Sequence, residues 1–297
     1  MARLRYLPLL AAAGWAVFCA ATLSLNLHDA GDELWIQGLS LLAGLVLLTL
    51  LLFSGERPLW PAWSRWAMFI GGIAAVFGPY LLSLHSAGWR VFSTVGLVAV
   101  ALPVGYWIGD RMEKASNLIP LAIALSMADI YSVFRGPSRH VGEQIISYQR
   151  LVADRVSQLG HVSPAEMAKA EASIQAPLAN YLVAHFPLPG HGTTVPLLGI
   201  GDFIALAFLF RAAWVHRLNA RAVFIAGLAS TIVALAVTQL VGHALPALPF
   251  IALGVVGYLA LTNPRVRRLS RQEVLLSIAV PCLFGALLVV GWLSGKP

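Results

Sequence analysis

Apolar runs of membrane-crossing length alternate with short polar gaps along almost the whole chain. Taking about 17 to 25 mostly apolar residues as a spanning helix, about nine runs qualify, at 7–25, 36–54, 67–85, 91–109, 117–134, 194–211, 222–241, 246–262 and 272–293. The pattern predicts an all-α, polytopic membrane protein with about nine transmembrane helices. One gap, 135–193, is long and mixed in charge. It carries helix-like stretches over 141–158 and 164–185, the second opened by Ser163-Pro164 with Glu166 in its first turn. We read it as a solvated connector whose amphipathic helices lie on the membrane surface. The first run, behind Arg3 and Arg5, is long for the core of a signal peptide and has no clean small-residue cleavage site after it, so a retained span is expected.

Composition agrees with this reading. At 59% hydrophobic and 11% charged residues, there is too little polar surface to enclose the apolar surface in water. The net charge of +7 comes from short clusters of Lys and Arg at the ends of apolar runs, which argues for membrane anchoring and against nucleic-acid binding. Arg3 and Arg5, Arg57 and Arg65, Arg111 and Lys114, Arg211, Arg217 and Arg221, and Arg265, Arg267, Arg268 and Arg271 fall in alternate gaps. The positive-inside rule then puts the amino terminus inside and the carboxyl terminus outside the cytoplasmic (inner) membrane. Arg90 stands in an outer gap. Cys19 and Cys282 lie in apolar runs without ligand spacing, so neither a disulfide nor a metal is expected.

Every acidic residue but two lies between apolar runs or at their ends. The exceptions are Asp129 and Asp202, and a carboxylate inside a spanning run is a functional hypothesis by default. Asp129 lies six residues before Arg135, roughly 9 Å along a helix from the outer end of its run. Asp202 lies eight residues after Thr194, roughly 12 Å below the outer start of its own. Spacing and topology therefore allow the two to face one another at similar depth. Ala122, Ser126, Ser132 and Gly136 share the Asp129 face and suit close helix packing, while Gly199 and Gly201 flank Asp202 and would admit a second backbone. A third element, Pro246-Ala247-Leu248-Pro249, opens the run at 246–262 and predicts irregular backbone at membrane depth.

These residues carry a resemblance. Gly199-Ile200-Gly201-Asp202 resembles the GxGD signature, and Pro246-Ala247-Leu248 the PAL motif, of the presenilin and signal peptide peptidase family of intramembrane aspartyl proteases. Asp129, in Ala128-Asp129-Ile130-Tyr131, resembles that family's other catalytic aspartate, and one further span separates the GxGD and PAL helices, as in the family. The likeness covers roughly residues 121–262. Tyrosine usually precedes the family's first aspartate, where this chain has Ala128. The family also has five spans before that aspartate, where this chain has four. The resemblance implies a presenilin-like helical bundle with a four-helix segment at 1–116, a catalytic core at 117–262, and a basic loop and extra helix at 263–297. It further implies hydrolysis of peptide bonds in transmembrane-helix or signal-peptide substrates within the lipid bilayer, with Asp129 and Asp202 catalytic and Gly199, Gly201 and the PAL residues positioning the substrate.

The chemistry is consistent with that implication. Two carboxylates close together in a low-dielectric site keep one proton between them, so one can activate water while the other polarises a carbonyl; no cofactor is needed. A substrate helix must unwind to expose its carbonyls, and an extended segment could then pair with free backbone near Pro246 to Pro249. Paired intramembrane carboxylates and a broken helix also suit a proton- or ion-coupled transporter, and a prepilin-peptidase-like enzyme also uses a GxGD. Tyr131, Gln239 and His243 are candidates for supporting the site. His161, His185 and His191, in the long outer gap without ligand spacing, are assigned no role.

Overall fold

The computed structural model describes residues 7–24, 34–55, 61–84, 86–157, 173–174, 176–189, 193–241 and 245–293. Of these residues 84% are helical, in keeping with the apolar runs. In order the helices are α1 (Leu7–Ser24), α2 (Leu34–Gly55), α3 (Ala62–Leu81), α4 (Ala87–Asp110), α5 (Leu118–Arg135) and α6 (Pro137–Ser157), then α7 (Ile200–Val215), α8 (Ala220–Val241), α9 (Leu248–Thr262), the short α10 (Pro264–Arg267) and α11 (Arg271–Leu293). Two strands, β1 (Val183–Pro187) and β2 (Thr194–Gly199), interrupt the series. Among the described residues, five helical segments are long and apolar enough to cross a membrane: Trp35–Gly55, Ala87–Asp110, Ala115–Arg135, Ala220–Val241 and Arg271–Val290. The protein is a mostly helical membrane protein. The apolar helix Leu248–Thr262 is shorter than the run from which a span was expected.

The long gap differs from expectation in its second half. The stretch at 141–158 falls in α6, which begins one turn earlier because Gly136 ends α5 and Pro137 supplies a preset first helical residue. The other expected helix, 164–185, is not one where it is described. Leu178–Tyr181 is a single 3-10 turn and Val183–Pro187 a strand; 164–172 lie outside the described residues. The run at 194–211 is also split. Thr194–Gly199 forms β2, antiparallel to β1, and the helix starts only at Ile200. Thr194 and Val195 are β-branched, and Pro196 has no N–H for a helix ladder, so this end of the apolar run favours a strand. The register shifts at Ala184/His185, where the strand partner is Pro196.

Two compact units are distinguished, residues 1–104 with 143–204, and residues 105–142 with 205–297. In the first, α3 and α4 meet at small residues: a Cβ on Gly72 would lie 2.7 Å from the Gly96 carbonyl oxygen, and one on Gly96 2.9 Å from that of Gly72. Trp15 of α1 packs edge-on to Phe186 of β1 at 5.6 Å, and Tyr181 donates to the Leu84 carbonyl at 3.0 Å, fixing the hairpin and its 3-10 turn onto helices of the same unit. In the second unit α5 packs against both α9 and α11, and α8 against α9. Arg211, expected in a cytoplasmic gap, is instead buried in α7. Its Nε donates to Asp110 Oδ1 at 2.7 Å and its guanidinium lies 3.6 Å over the Tyr106 ring, partners that offset the cost of burying the charge.

Candidate functional site

Asp129 belongs to the second unit and Asp202 to the first, and each accepts a backbone N–H from within its own unit. Asp129 is a half-buried residue of α5. Its Oδ2 accepts the backbone N–H of Leu248 at 3.0 Å, across 119 positions of sequence. That donor exists because α9 begins at Leu248, and the first N–H groups of a helix have no partner within it. Pro249 follows in the same first turn, where a missing N–H costs nothing, and the Ala247 carbonyl accepts from Phe250 and Ile251. The PAL segment is thus a helix entrance whose first N–H points at an aspartate.

This changes what the segment can offer a substrate. Pro246 and Pro249 have no N–H, and that of Leu248 is given to Asp129, so strand addition here would have to use Ala247 and the carbonyls. On the same face of α5, Ala122 is buried and Ser126 turns its hydroxyl back to the Ala122 carbonyl at 2.8 Å. With Phe208 of α7 and Ile251 of α9 they line a void of about 10 Å³, room for no more than one water. The small residues at this spacing accordingly serve close packing.

Asp202 lies in the first turn of α7 rather than deep within a helix, because β2 occupies the preceding residues. Its Oδ2 accepts the Gly199 N–H at 2.9 Å. An acidic third residue reaching back to the N–H before the helix is the capping-box arrangement, so GxGD has a local structural meaning as a helix start. A Cβ built on Gly199 would meet only Asp202 Oδ2, at 3.7 Å, and one on Gly201 would meet nothing within 4 Å. The close backbone approach expected at these glycines is therefore absent among the described residues. Gly201 is exposed, and the space beside it is open.

Of the supporting candidates, Tyr131 stacks obliquely with Phe284 of α11 at 5.9 Å, and Gln239 is exposed in the last turn of α8. His243 lies outside the described residues, as do His161 and His191. The described residues hold no cluster of three metal-ligating side chains.

His185, given no role in the sequence, is in the structure one of the most enclosed polar groups, at 1% exposure. Its Nε2 lies 2.6 Å from the Asn180 carbonyl, which can only accept, so Nε2 carries the proton and Nδ1 accepts from the Thr194 hydroxyl at 3.0 Å. Its backbone N–H donates to Thr94 Oγ1 of α4 at 2.8 Å. Burial, reinforced by the nearby charge of Arg90, pushes its pKa from 6.5 down to about 3, so it is a neutral structural hub. No pattern in the sequence marks it, because its partners come from three separate segments. Compared with models of protein families, with curated proteins and with solved structures, the chain matches none.

Proposed function

We propose that this chain is an intramembrane aspartyl protease of the presenilin and signal peptide peptidase type, with Asp129 and Asp202 as its catalytic pair. The observation that carries the reading is the Leu248 N–H to Asp129 hydrogen bond, which joins an intramembrane carboxylate to the PAL segment. A bond of this kind fixes the orientation of the carboxylate beside the PAL segment. In the proposed mechanism the two carboxylates hold one water and one proton between them. The ionised member takes a proton from the water as it attacks the scissile carbonyl, and the protonated member donates to the carbonyl oxygen; the proton then passes to the leaving amine as the tetrahedral intermediate collapses. The pair titrates as a unit, so neither aspartate alone owns the proton.

Gly201 supports the reading in a different way. A residue without a side chain, exposed beside Asp202 and unneeded for packing, leaves room for an unwound substrate segment to approach the carboxylate. The substrates proposed are transmembrane helices or signal peptides, cleaved within the apolar segment. The chain sits in the inner membrane with its amino terminus inside and its carboxyl terminus outside.

The test is cleavage of a labelled single-span peptide by purified protein in detergent or lipid, comparing the unaltered chain with Asp129→Asn and Asp202→Asn. We expect cutting within the apolar segment by the unaltered chain and a loss of at least about a hundredfold in each variant. Persistent cutting in either variant removes the dyad. Absence of cutting across a broad peptide set, with uptake into liposomes driven by a pH gradient, replaces the protease with a coupled transporter.

A further inference from the structure

The first unit contains a cavity of about 410 Å³ that none of the proposed proteolytic chemistry uses. Its walls come from the start of α4 (Arg90), from α6 (Tyr148, Val152), from the 3-10 turn (Asn180) and from the hairpin (His185, Thr194). The size falls within the roughly 300–1,000 Å³ typical of small-molecule sites.

Its polar lining is biased towards donors. Arg90 is 2% exposed and cannot shed its charge, and none of the described lining residues is acidic. Asn180, also 2% exposed, spends its carbonyl oxygen on His185 Nε2, while its side-chain Nδ2 is buried with no hydrogen-bond partner. A buried amide donor left without an acceptor costs free energy, and a ligand that brings an acceptor oxygen removes that cost. His185 is neutral and turns both ring nitrogens to protein partners, so it offers no competing charge. Beside the donors, Val152, Ala153 and Pro196 supply an apolar wall.

We propose that this cavity binds a phosphate-bearing ligand, with Arg90 and Asn180 Nδ2 donating to its oxygens and the apolar wall holding the attached organic group. A phosphate presents several acceptor oxygens to donors that converge from different elements, and a guanidinium pairs with it in bidentate fashion. The cavity is larger than a bare phosphate needs, which fits an ester of about glycerophosphate size. Arg90 lies in the first turn of a helix long enough to cross a membrane, the level at which lipid headgroups lie. The phosphate can therefore come from an anionic phospholipid or from a soluble ester, and the binding chemistry is the same. The proposal is independent of the protease reading.

The test is thermal unfolding of the purified full chain in neutral detergent at constant ionic strength. The additions are sodium chloride, inorganic phosphate, glycerol 1-phosphate, and mixed micelles containing either phosphatidylglycerol or phosphatidylcholine. We expect a saturable rise in midpoint with a phosphate-bearing addition over chloride and phosphatidylcholine. A rise with glycerol 1-phosphate identifies a soluble ligand, and one confined to phosphatidylglycerol identifies the lipid. Asn180→Asp keeps the side-chain shape but sets a carboxylate against the ligand, and should weaken the response at least about tenfold. Arg90→Gln should do the same, and if it fails to fold, Asn180→Asp decides alone. No rise with any phosphate-bearing addition, or a response undiminished in Asn180→Asp, overturns the proposal.

Discussion

The neutral, enclosed His185 makes stability depend on pH in a calculable way. Its ordinary pKa of 6.5 falls to about 3 in the folded chain, chiefly through burial and then through the charge of Arg90. A histidine with a lowered folded pKa binds a proton more readily when unfolded, so its contribution is complete above about pH 6.5 and is lost as the pH falls towards 3. Linkage with these two values gives a loss of about 2 kcal/mol at about pH 5, about 3 kcal/mol at about pH 4, and a limit near 5 kcal/mol. A loss of 2 kcal/mol corresponds to roughly 5 °C in the unfolding midpoint of a domain of this size.

Protonation would also turn Nδ1 from acceptor into donor, so the Thr194 hydroxyl must rotate to accept, and with a charge now buried at its base the hairpin should loosen first. The assay is thermal unfolding in detergent from about pH 8 to pH 4 for the unaltered chain and for His185→Gln, whose amide does not titrate. The variant should be less stable at neutral pH because one ring contact is lost, yet show a shallower acid slope. Parallel pH profiles for the two proteins, or a ring that protonates near 6.5 by histidine NMR, would refute the reasoning.

Three further outcomes are expected. Asp202→Asn keeps an oxygen for the Gly199 N–H and should unfold close to the unaltered chain, whereas Asp202→Ala loses the cap at about 1 kcal/mol; comparing the two midpoints separates capping from catalysis. Gly254→Ala drives its Cβ into Ser230 Oγ and should destabilise by about 1–3 kcal/mol, with partial recovery in Gly254→Ala/Ser230→Ala because Ser230 Cβ remains at 3.0 Å. Asp110→Ala strips the buried Arg211 of its carboxylate and should cost about 2 kcal/mol in thermal unfolding, less than for a fully enclosed pair because Asp110 is 35% exposed.

What the sequence determined by itself was the membrane class, the positions of the long apolar helices, and the singling out of Asp129. These are one-dimensional properties: the length of an apolar run sets whether it can span, and a lone carboxylate within one is visible at once. The split at Thr194–Gly199 was harder, because a short apolar run reads equally as strand or buried helix and only its partner decides. The first three residues of that partner, 183–185, fall in a stretch whose pattern reads as helix, so neither half of the hairpin stands out in the sequence. Thr194, Val195 and Pro196 were the local signals that could have found it.

Only the tertiary structure decided what each polar group meets. Leu248 and Asp129 are 119 positions apart, Thr94 and His185 are 91, and Arg211 and Asp110 are 101. Hydrogen bonds at such separations leave no periodicity in the chain. They arise because packing apolar faces brings distant backbone together, and a polar group carried into that interior must then find a partner or a ligand there.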